Sequence, residues 1–344
     1  MSWQIFSTLD TILFILVSLT VLYMAVFAFV SASVFSKRQS IPKAKRQNRF
    51  IILIPAYKNG ESALQTVHST LGQTYPQRLF DVTVISDHQS EMTNMHLAQY
   101  PITLLTPNFE KSSKAKSLQY AILNLPEFKI YDTVVILDAN NIVEPEFLEQ
   151  LNDAYENAGT KAILVHRLPR NRDTASARLD SIFEEINNSI FRRGHITLGL
   201  SAATAGSAQA FDFNWFKENI KDINTTWDDK ELEIRLIRQH IYIDYFDHIM
   251  VYNEKKRSAE DFNRERRRWT ISQFSLILRN IHYLPSAIFH RHYDLIDKIL
   301  QWMLLPRMIL MAVIFVAGVT MPFIYFTFAL KWWLLFAIVL LILA

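Results

Sequence analysis

Twenty-five consecutive residues without a charge, Thr11 to Phe35 (TILFILVSLTVLYMAVFAFVSASVF), constrain this chain more than any other feature. A run of ~20 apolar residues is long enough to cross the hydrocarbon core of a bilayer. No Lys or Arg precedes it, whereas Lys37, Arg38, Lys43, Lys45, Arg46 and Arg49 follow it closely. By the positive-inside rule the N-terminus faces outward and the next domain faces the cytoplasm. A cleaved signal peptide would need a basic n-region and a shorter apolar core, and this segment has neither. A buried core helix is the remaining alternative.

The C-terminal end repeats the pattern. Met308–Ala329 is apolar apart from Thr and Pro, and Lys331-Trp332-Trp333 stands where an interfacial anchor would. Leu334–Ala344 is apolar again but too short for a full crossing, so the natural protein is expected to continue past Ala344. Leu284–Trp302 mixes aromatic, aliphatic, His and Arg side chains. It reads as a helix lying in the membrane interface, with a soluble amphipathic helix as the alternative. The two ends account for a chain of 344 residues that is 50% hydrophobic. The absence of cysteine excludes disulfides, thiolate zinc sites, iron–sulfur clusters and a cysteine nucleophile. A net charge of +3 gives no nucleic-acid signature, and seven glycines form neither a dinucleotide-binding fingerprint nor a P-loop.

Between these ends the chain alternates strand-like and helix-like segments. Phe50–Tyr57 reads as a buried strand followed by a Pro turn, Ser62–Leu71 as a helix and Val82–Ser86 as a second strand. Ile102–Thr106, Thr133–Asn140 and Ala162–Leu168 read as further strands, and Ser113–Leu125 and Pro145–Ala158 as helices. Such alternation predicts an α/β fold with a mainly parallel sheet, whose ligands bind beyond the carboxyl ends of the strands. Asp87 and Asp138 both fall there. One carboxylate could accept a hydrogen bond from a base or ribose, and the other could help hold a divalent cation on a diphosphate. The alternative for each is a helix N-cap.

Seven segments occur in a characteristic order: FIILIPAYKN, VTVISDHQS, KSSKAKSLQYAI, VVILDANNIVEPEFL, LGLSAATAGSAQAF, TTWDDKELEIRL and RERRRW. Over roughly residues 50–270 the chain resembles a family 2 glycosyltransferase. With its apolar ends it is similar to the membrane-embedded polysaccharide-synthase branch. The resemblance implies a glycosyltransferase-A type α/β domain with a mainly parallel sheet, flanked by transmembrane helices. The implied layout is a transmembrane helix (1–36), a basic cytoplasmic linker (37–49) and a cytoplasmic catalytic domain (50–280). An interfacial helix (281–303) and a C-terminal transmembrane region (304–344) follow.

The resemblance also implies roles. Pro55, Ala56 and Tyr57 would line the base and ribose, and Asp87 would contact the nucleotide. Lys114 would face the phosphates, with Lys116 as the alternative if the register slips. Asp138-Ala139-Asn140 stands where the family has Asp-x-Asp, so Asp138 and Asn140 would hold Mg²⁺ or Mn²⁺ with one formal charge fewer. Gly206 and Ser207 would belong to the acceptor loop, and a plain small-residue loop is the alternative. Asp228 and Asp229 match the family's Glu-Asp pair, with Asp229 as general base; favourable placement of acids at a helix start is the alternative. Arg268 would stabilise the departing diphosphate and Trp269 would stack on the acceptor sugar, with Glu265 replacing the family's Gln. The basic run Lys255-Lys256-Arg257 and Arg264 to Arg268 reads as a solvated face or a contact for anionic lipid.

The implied reaction is inverting transfer from a UDP-sugar to a saccharide or lipid-linked acceptor at the cytoplasmic face of the inner membrane, in polysaccharide synthesis. The alternatives are a single transfer to a membrane lipid, or an inactive nucleotide-sugar-binding subunit.

Overall fold

The structure is a computed structural model that describes residues 2–33, 41–58, 60–223 and 228–343, with the backbone alone for residues 2, 3, 228 and 343. Of the basic flank, Lys37 and Arg38 lie outside the described residues, as does the side chain of Asp228.

In chain order the elements are α1 (Ser2–Ala32), β1 (Phe50–Tyr57), α2 (Gly60–Leu71), β2 (Phe80–Asp87), α3 (Glu91–Leu97), β3 (Thr103–Leu105) and α4 (Lys114–Leu123). Then come β4 (Thr133–Ile136), β5 (Asn141–Val143), α5 (Phe147–Ala158), β6 (Ala162–Pro169) and α6 (Ala175–Ile186). A π-helical segment (Asn187–Gly194) leads into the short α7 (His195–Thr197), β7 (Gln209–Asp212), α8 (Phe213–Ile220), α9 (Asp228–Arg238) and β8 (Ile243–Asn253). The remainder is helical: α10 (Ala259–Asn280), α11 (Leu284–Phe289), α12 (Tyr293–Met303), α13 (Arg307–Ile324) and α14 (Phe326–Leu343). The chain divides into two compact units, one of residues 37–188 and 200–262, the other of residues 1–36, 189–199 and 263–344.

The first unit is an α/β domain around one eight-stranded sheet in the order β3-β2-β1-β4-β7-β6-β8-β5. The β1–β2, β2–β3, β1–β4 and β6–β8 pairs are parallel, while β7 runs antiparallel to β4 and β6, and β5 antiparallel to β8. Phe50 to Ile54 are all fully buried, because helices cover both faces of a central parallel strand and leave no polar side to alternate with. Each such side chain contributes about 1.5–3 kcal/mol of burial. Pro55 and Ala56 lie inside β1, not in a turn after it. The ladder with β4 ends at Leu53, so the missing N–H of Pro55 is not needed on that side. Likewise β4 stops at Ile136, and Asp138 sits in the turn that follows.

Residues 41–49 are packed onto this domain. Asn48 is buried and donates to Asn152 at 3.0 Å and Glu156 at 2.8 Å, and Arg46 pairs with Asp132. Lys255, expected on a solvated basic face, is buried against Glu184 at 3.1 Å and Asp180 at 3.7 Å. Arg257 is exposed and paired with Asp173 and Glu254. A lysine out of water is tolerable only with such partners.

The second unit is helical. Two of its helices, Gln4–Ala32 and Arg307–Ile324, are long and apolar enough to cross a membrane, with mean hydropathies of 2.7 and 2.1. Two expectations here are corrected. The apolar stretch 308–329 is not one span, because α13 ends at Ile324 and α14 begins at Phe326. Pro322, in the last turn of α13, has no N–H for the Gly318 carbonyl; Trp333 Nε1 of α14 donates to that oxygen at 2.9 Å instead. Lys331 lies within α14 and is paired with Asp10 of α1, whose other oxygen accepts from Trp332 Nε1 at 3.0 Å. The stretch 284–302 is two helices, broken at His290–His292 where Arg291 takes a left-handed φ of 55°.

Candidate functional site

All the geometry that follows lies in the α/β unit. At the carboxyl ends of β1 and β2, Tyr57 and Asp87 are register partners. Asp87 is buried and bonded to His88 Nδ1 at 2.5 Å, and the Tyr57 ring, half exposed, meets the His88 ring edge-on at 5.9 Å. Asp87 does not cap α3; Ser90 does, accepting from the Thr93 amide at 3.1 Å. Ser112, just ahead of α4, lies 3.4 Å from His88 Nδ1 and ties this corner to the start of that helix.

Two residues on, Lys114 enters a second cluster. Its ammonium pairs with the Asp138 carboxylate and donates to the Gly206 carbonyl at 2.6 Å. Asp138 caps no helix, since β5 follows; its amide is held by Asn141 Oδ1 at 2.9 Å. Burial alone would raise the Asp138 carboxyl, but the charges of Lys114 and Arg167 outweigh it and hold the group below the ordinary carboxylate range. The Ser207 hydroxyl is near enough to favour the carboxylate, though it makes no hydrogen bond of ordinary geometry. Lys116 points elsewhere, onto the carbonyl of Lys111 at 2.8 Å, so Lys114 is the lysine of this helix that lies beside Asp138.

The loop before β7 joins this cluster to α9. Gly206 has a φ of 78°, and a Cβ built on it would lie 3.9 Å from Asp229 Cγ and Oδ2. Three consecutive carbonyls of the loop each receive a cation: Thr204 from Lys230 at 3.0 Å, Ala205 from Arg167 at 2.6 Å and Gly206 from Lys114. The Thr204 amide donates to buried Glu233 at 2.8 Å. Lys114, Asp138, Gly206, Ser207 and Asp229 therefore converge, whereas Arg268 and Trp269 belong to the helical unit, exposed on α10.

Sequence reasoning missed Arg167, Lys230 and Glu233. Arg167 is a cation that follows His166 near the end of the mostly apolar strand AILVHRL, and Glu233 lies one turn after Asp229 among buried Leu232, Leu236 and Ile237. Charges in such places are the available signal, because a buried charge persists only with partners.

Among the described residues there is no cluster of three or more metal-ligating side chains. Asn140 Nδ2 is engaged with the Glu254 carbonyl at 3.0 Å, which leaves its amide oxygen and the Asp138 carboxylate as the oxygen donors of this turn. One carboxylate and one amide, beside Lys114, are too few for a cation bound in advance. They fit a cation that arrives with phosphate oxygens, the usual manner for Mg²⁺. Beyond Glu254 opens a cleft of ≈ 490 Å³ lined by Glu61, Gln65, Arg170, Asn171, Glu254 and Arg257, polar throughout.

The family described as "Glycosyltransferase like family 2" matches residues 47–272, and the chain belongs to it. Among solved structures, the mannosyltransferase PcManGT from Pyrobaculum calidifontis, in complex with GDP-Man and Mn²⁺, superposes with a TM-score of 0.62. It is 13% identical, over 96% of this chain and 98% of that one. TarS 1–349 from S. aureus, in complex with UDP-GlcNAc, aligns with a TM-score of 0.49 at 14% identity, over 74% of this chain and 72% of that one. No curated protein sequence matches the chain. At these identities the likeness is one of fold, and it agrees with the sheet described above: the chain is a glycosyltransferase-family domain accompanied by apolar helices.

Proposed function

We propose that this protein transfers a sugar from a UDP-sugar to an acceptor hydroxyl with inversion, at the cytoplasmic face of the membrane that its apolar helices span, in the synthesis of a cell-surface polysaccharide. The observation that carries the reading is the Asp229 carboxylate facing the open side of Gly206, in a loop that Lys114 ties to Asp138. Glycosyl transfer needs an anion site for the leaving diphosphate and a base for the acceptor, set on opposite sides of one reacting carbon.

In this mechanism Asp229 takes the proton of the acceptor hydroxyl as its oxygen bonds to the anomeric carbon. The bond from that carbon to the diphosphate oxygen breaks, and its electron pair leaves with UDP. A positioned base of this kind is worth roughly 10²–10⁴-fold. Lys114 meets the charge growing on the diphosphate. Tyr57 and Asp87 hold the nucleoside, with Pro55 and Ala56 shaping the strand end beneath it. Asp138 and Asn140 would hold a Mg²⁺ or Mn²⁺ ion, which when bound supplies charge neutralisation to the diphosphate. PcManGT, in complex with GDP-Man and Mn²⁺, supports a nucleoside diphosphate sugar and a divalent ion as ligands. Arg268, Trp269 and Asp228 enter the proposal from the sequence resemblance alone. The polar cleft lined by Glu254, whose carbonyl accepts from Asn140, suits a hydroxyl-rich acceptor.

The test is a donor screen on the purified full chain with Mg²⁺ or Mn²⁺, reading release of the nucleoside diphosphate and sugar transfer. UDP-sugars should be consumed, and Asp229→Asn should abolish transfer while UDP still binds. Preference for GDP-mannose would move the donor class. Wild-type turnover in the Asn variant would remove Asp229 as the base, and no turnover with any donor would favour a non-catalytic nucleotide-sugar-binding subunit.

A further inference from the structure

Glu233 is fully buried, and the transfer step above does not use it. A carboxylate removed from water is costly unless its oxygens are bonded, and an apolar residue would pack α9 at least as well. Both oxygens are engaged, and both on behalf of one residue. Oε1 accepts the Thr204 amide at 2.8 Å, and Oε2 takes Lys230 Nζ at 3.1 Å. Lys230 reaches on to the Thr204 carbonyl at 3.0 Å, and the Thr204 hydroxyl donates to the Asp229 carbonyl at 3.2 Å. The amide, carbonyl and hydroxyl of Thr204 are thus fastened to a single turn of helix, Asp229 to Glu233.

Two residues after Thr204 stands Gly206, whose open side faces the Asp229 carboxylate. On its other flank the loop is held through Ala205 by Arg167 and through Gly206 by Lys114. The loop therefore spans from the Asp138 side to the Asp229 side, and the fastening at Thr204 sets its distance from α9.

We propose that Glu233 is a positioning residue for the acceptor: by holding Thr204 it fixes the gap between Gly206 and Asp229 in which the acceptor hydroxyl reacts. The inference rests on Asp229 being the base. A shift of about 1 Å between reacting groups can cost 10²-fold. Water is small enough to use a loosened gap, whereas a sugar hydroxyl needs the gap to be set. A fault in positioning must therefore change the ratio of donor hydrolysis to transfer, which a general loss of folded protein does not change.

The experiment compares Glu233→Asp, which is one methylene too short to reach Thr204, with Glu233→Gln, which keeps an oxygen for the Thr204 amide. Transfer, hydrolysis, UDP affinity and hydrogen exchange of the 203–207 amides are measured on the full chain. Glu233→Asp should lower transfer by ~10²-fold, raise the hydrolysis-to-transfer ratio at least about tenfold and speed exchange at 203–207, with UDP affinity unchanged. Glu233→Gln should recover most of the transfer and shift the ratio in the same sense but less, and it carries the test if the Asp variant does not fold. An unchanged ratio with unchanged exchange overturns the proposal. So does a parallel fall of transfer, hydrolysis and UDP affinity, which would mark Glu233 as a fold residue only. If Asp229→Asn retains transfer, the base assignment fails; exchange at 203–207 still reports separately whether Glu233 holds the loop.

Discussion

Gly206 and Asp229 stand face to face: a Cβ on the glycine would lie 3.9 Å from the aspartate's carboxyl carbon and one of its oxygens. A methyl group there would meet the carboxyl at ordinary van der Waals distance and fill the space in front of it, and residue 206 holds a φ of 78°, a region that L-residues adopt at a cost of about 1–2 kcal/mol. Gly206→Ala should lower the melting temperature, and it should reduce transfer at least about tenfold by pushing the acceptor from its place. UDP affinity, measured by calorimetry, should stay within about twofold because no donor-side bond changes. Equal losses of UDP affinity and transfer would show that the loop serves the donor instead.

The ion pair between Lys114 and Asp138 has a pH signature. The Asp138 carboxyl is held below its usual range, so its stabilising contribution is present above pH ~4 and is lost as pH falls through the folded-state value. In Lys114→Met burial is opposed only by the weaker influences of Arg167 and Ser207, and the carboxyl moves upward. The stability gap between wild type and variant should be full at neutral pH and shrink as pH approaches about 3. Urea midpoints across that range measure it, and a gap independent of pH would mean that Lys114 acts through packing rather than charge.

The donor set around Asp138 predicts how a cation binds. Asp138 and Asn140 alone, beside Lys114, should bind Mn²⁺ weakly, whereas UDP should bring in phosphate oxygens and tighten it markedly. Calorimetric titration of Mn²⁺ with and without UDP reads the difference, and Asp138→Asn should abolish it. Tight Mn²⁺ binding without nucleotide would point to a preformed site elsewhere.

Much of this was legible in the sequence, and the exceptions have physical reasons. Strands such as Phe50–Tyr57 announce themselves because a buried parallel strand must be continuously apolar. Lys114, Asp138 and Asp229 could be found because each follows or opens a recognisable element. Arg167, Lys230 and Glu233 show in the sequence only as charges among apolar neighbours, and their roles lie in convergence: side chains from β6 and α9 meet on the backbone of a loop far from each in sequence. Pro55 does not end β1, because proline's effect depends on which neighbour strand continues, and the ladder with β4 has already stopped at Leu53. The break between α13 and α14 was hidden for a related reason. Pro322 lies within an unbroken apolar run, and the Gly318 carbonyl it frees is taken by Trp333, a partner that only the folded chain supplies.

Within the helical unit, Asp10 of α1 is almost completely buried beside Lys331 and Trp332 of α14. Each residue supplies the other's charged partner, so the two act as one unit. Lys331→Met should destabilise the unit by about 3–5 kcal/mol, because it leaves Asp10 buried with only the indole N–H as donor. Asp10→Leu combined with Lys331→Met should restore most of the loss, since an apolar pair of similar volume often does as well as a buried ion pair. The measurement is thermal unfolding of the full chain in detergent for wild type, both single variants and the double variant. A double variant no more stable than Lys331→Met would show that the pair holds α1 against α14 by its geometry, beyond the neutralisation of a buried charge.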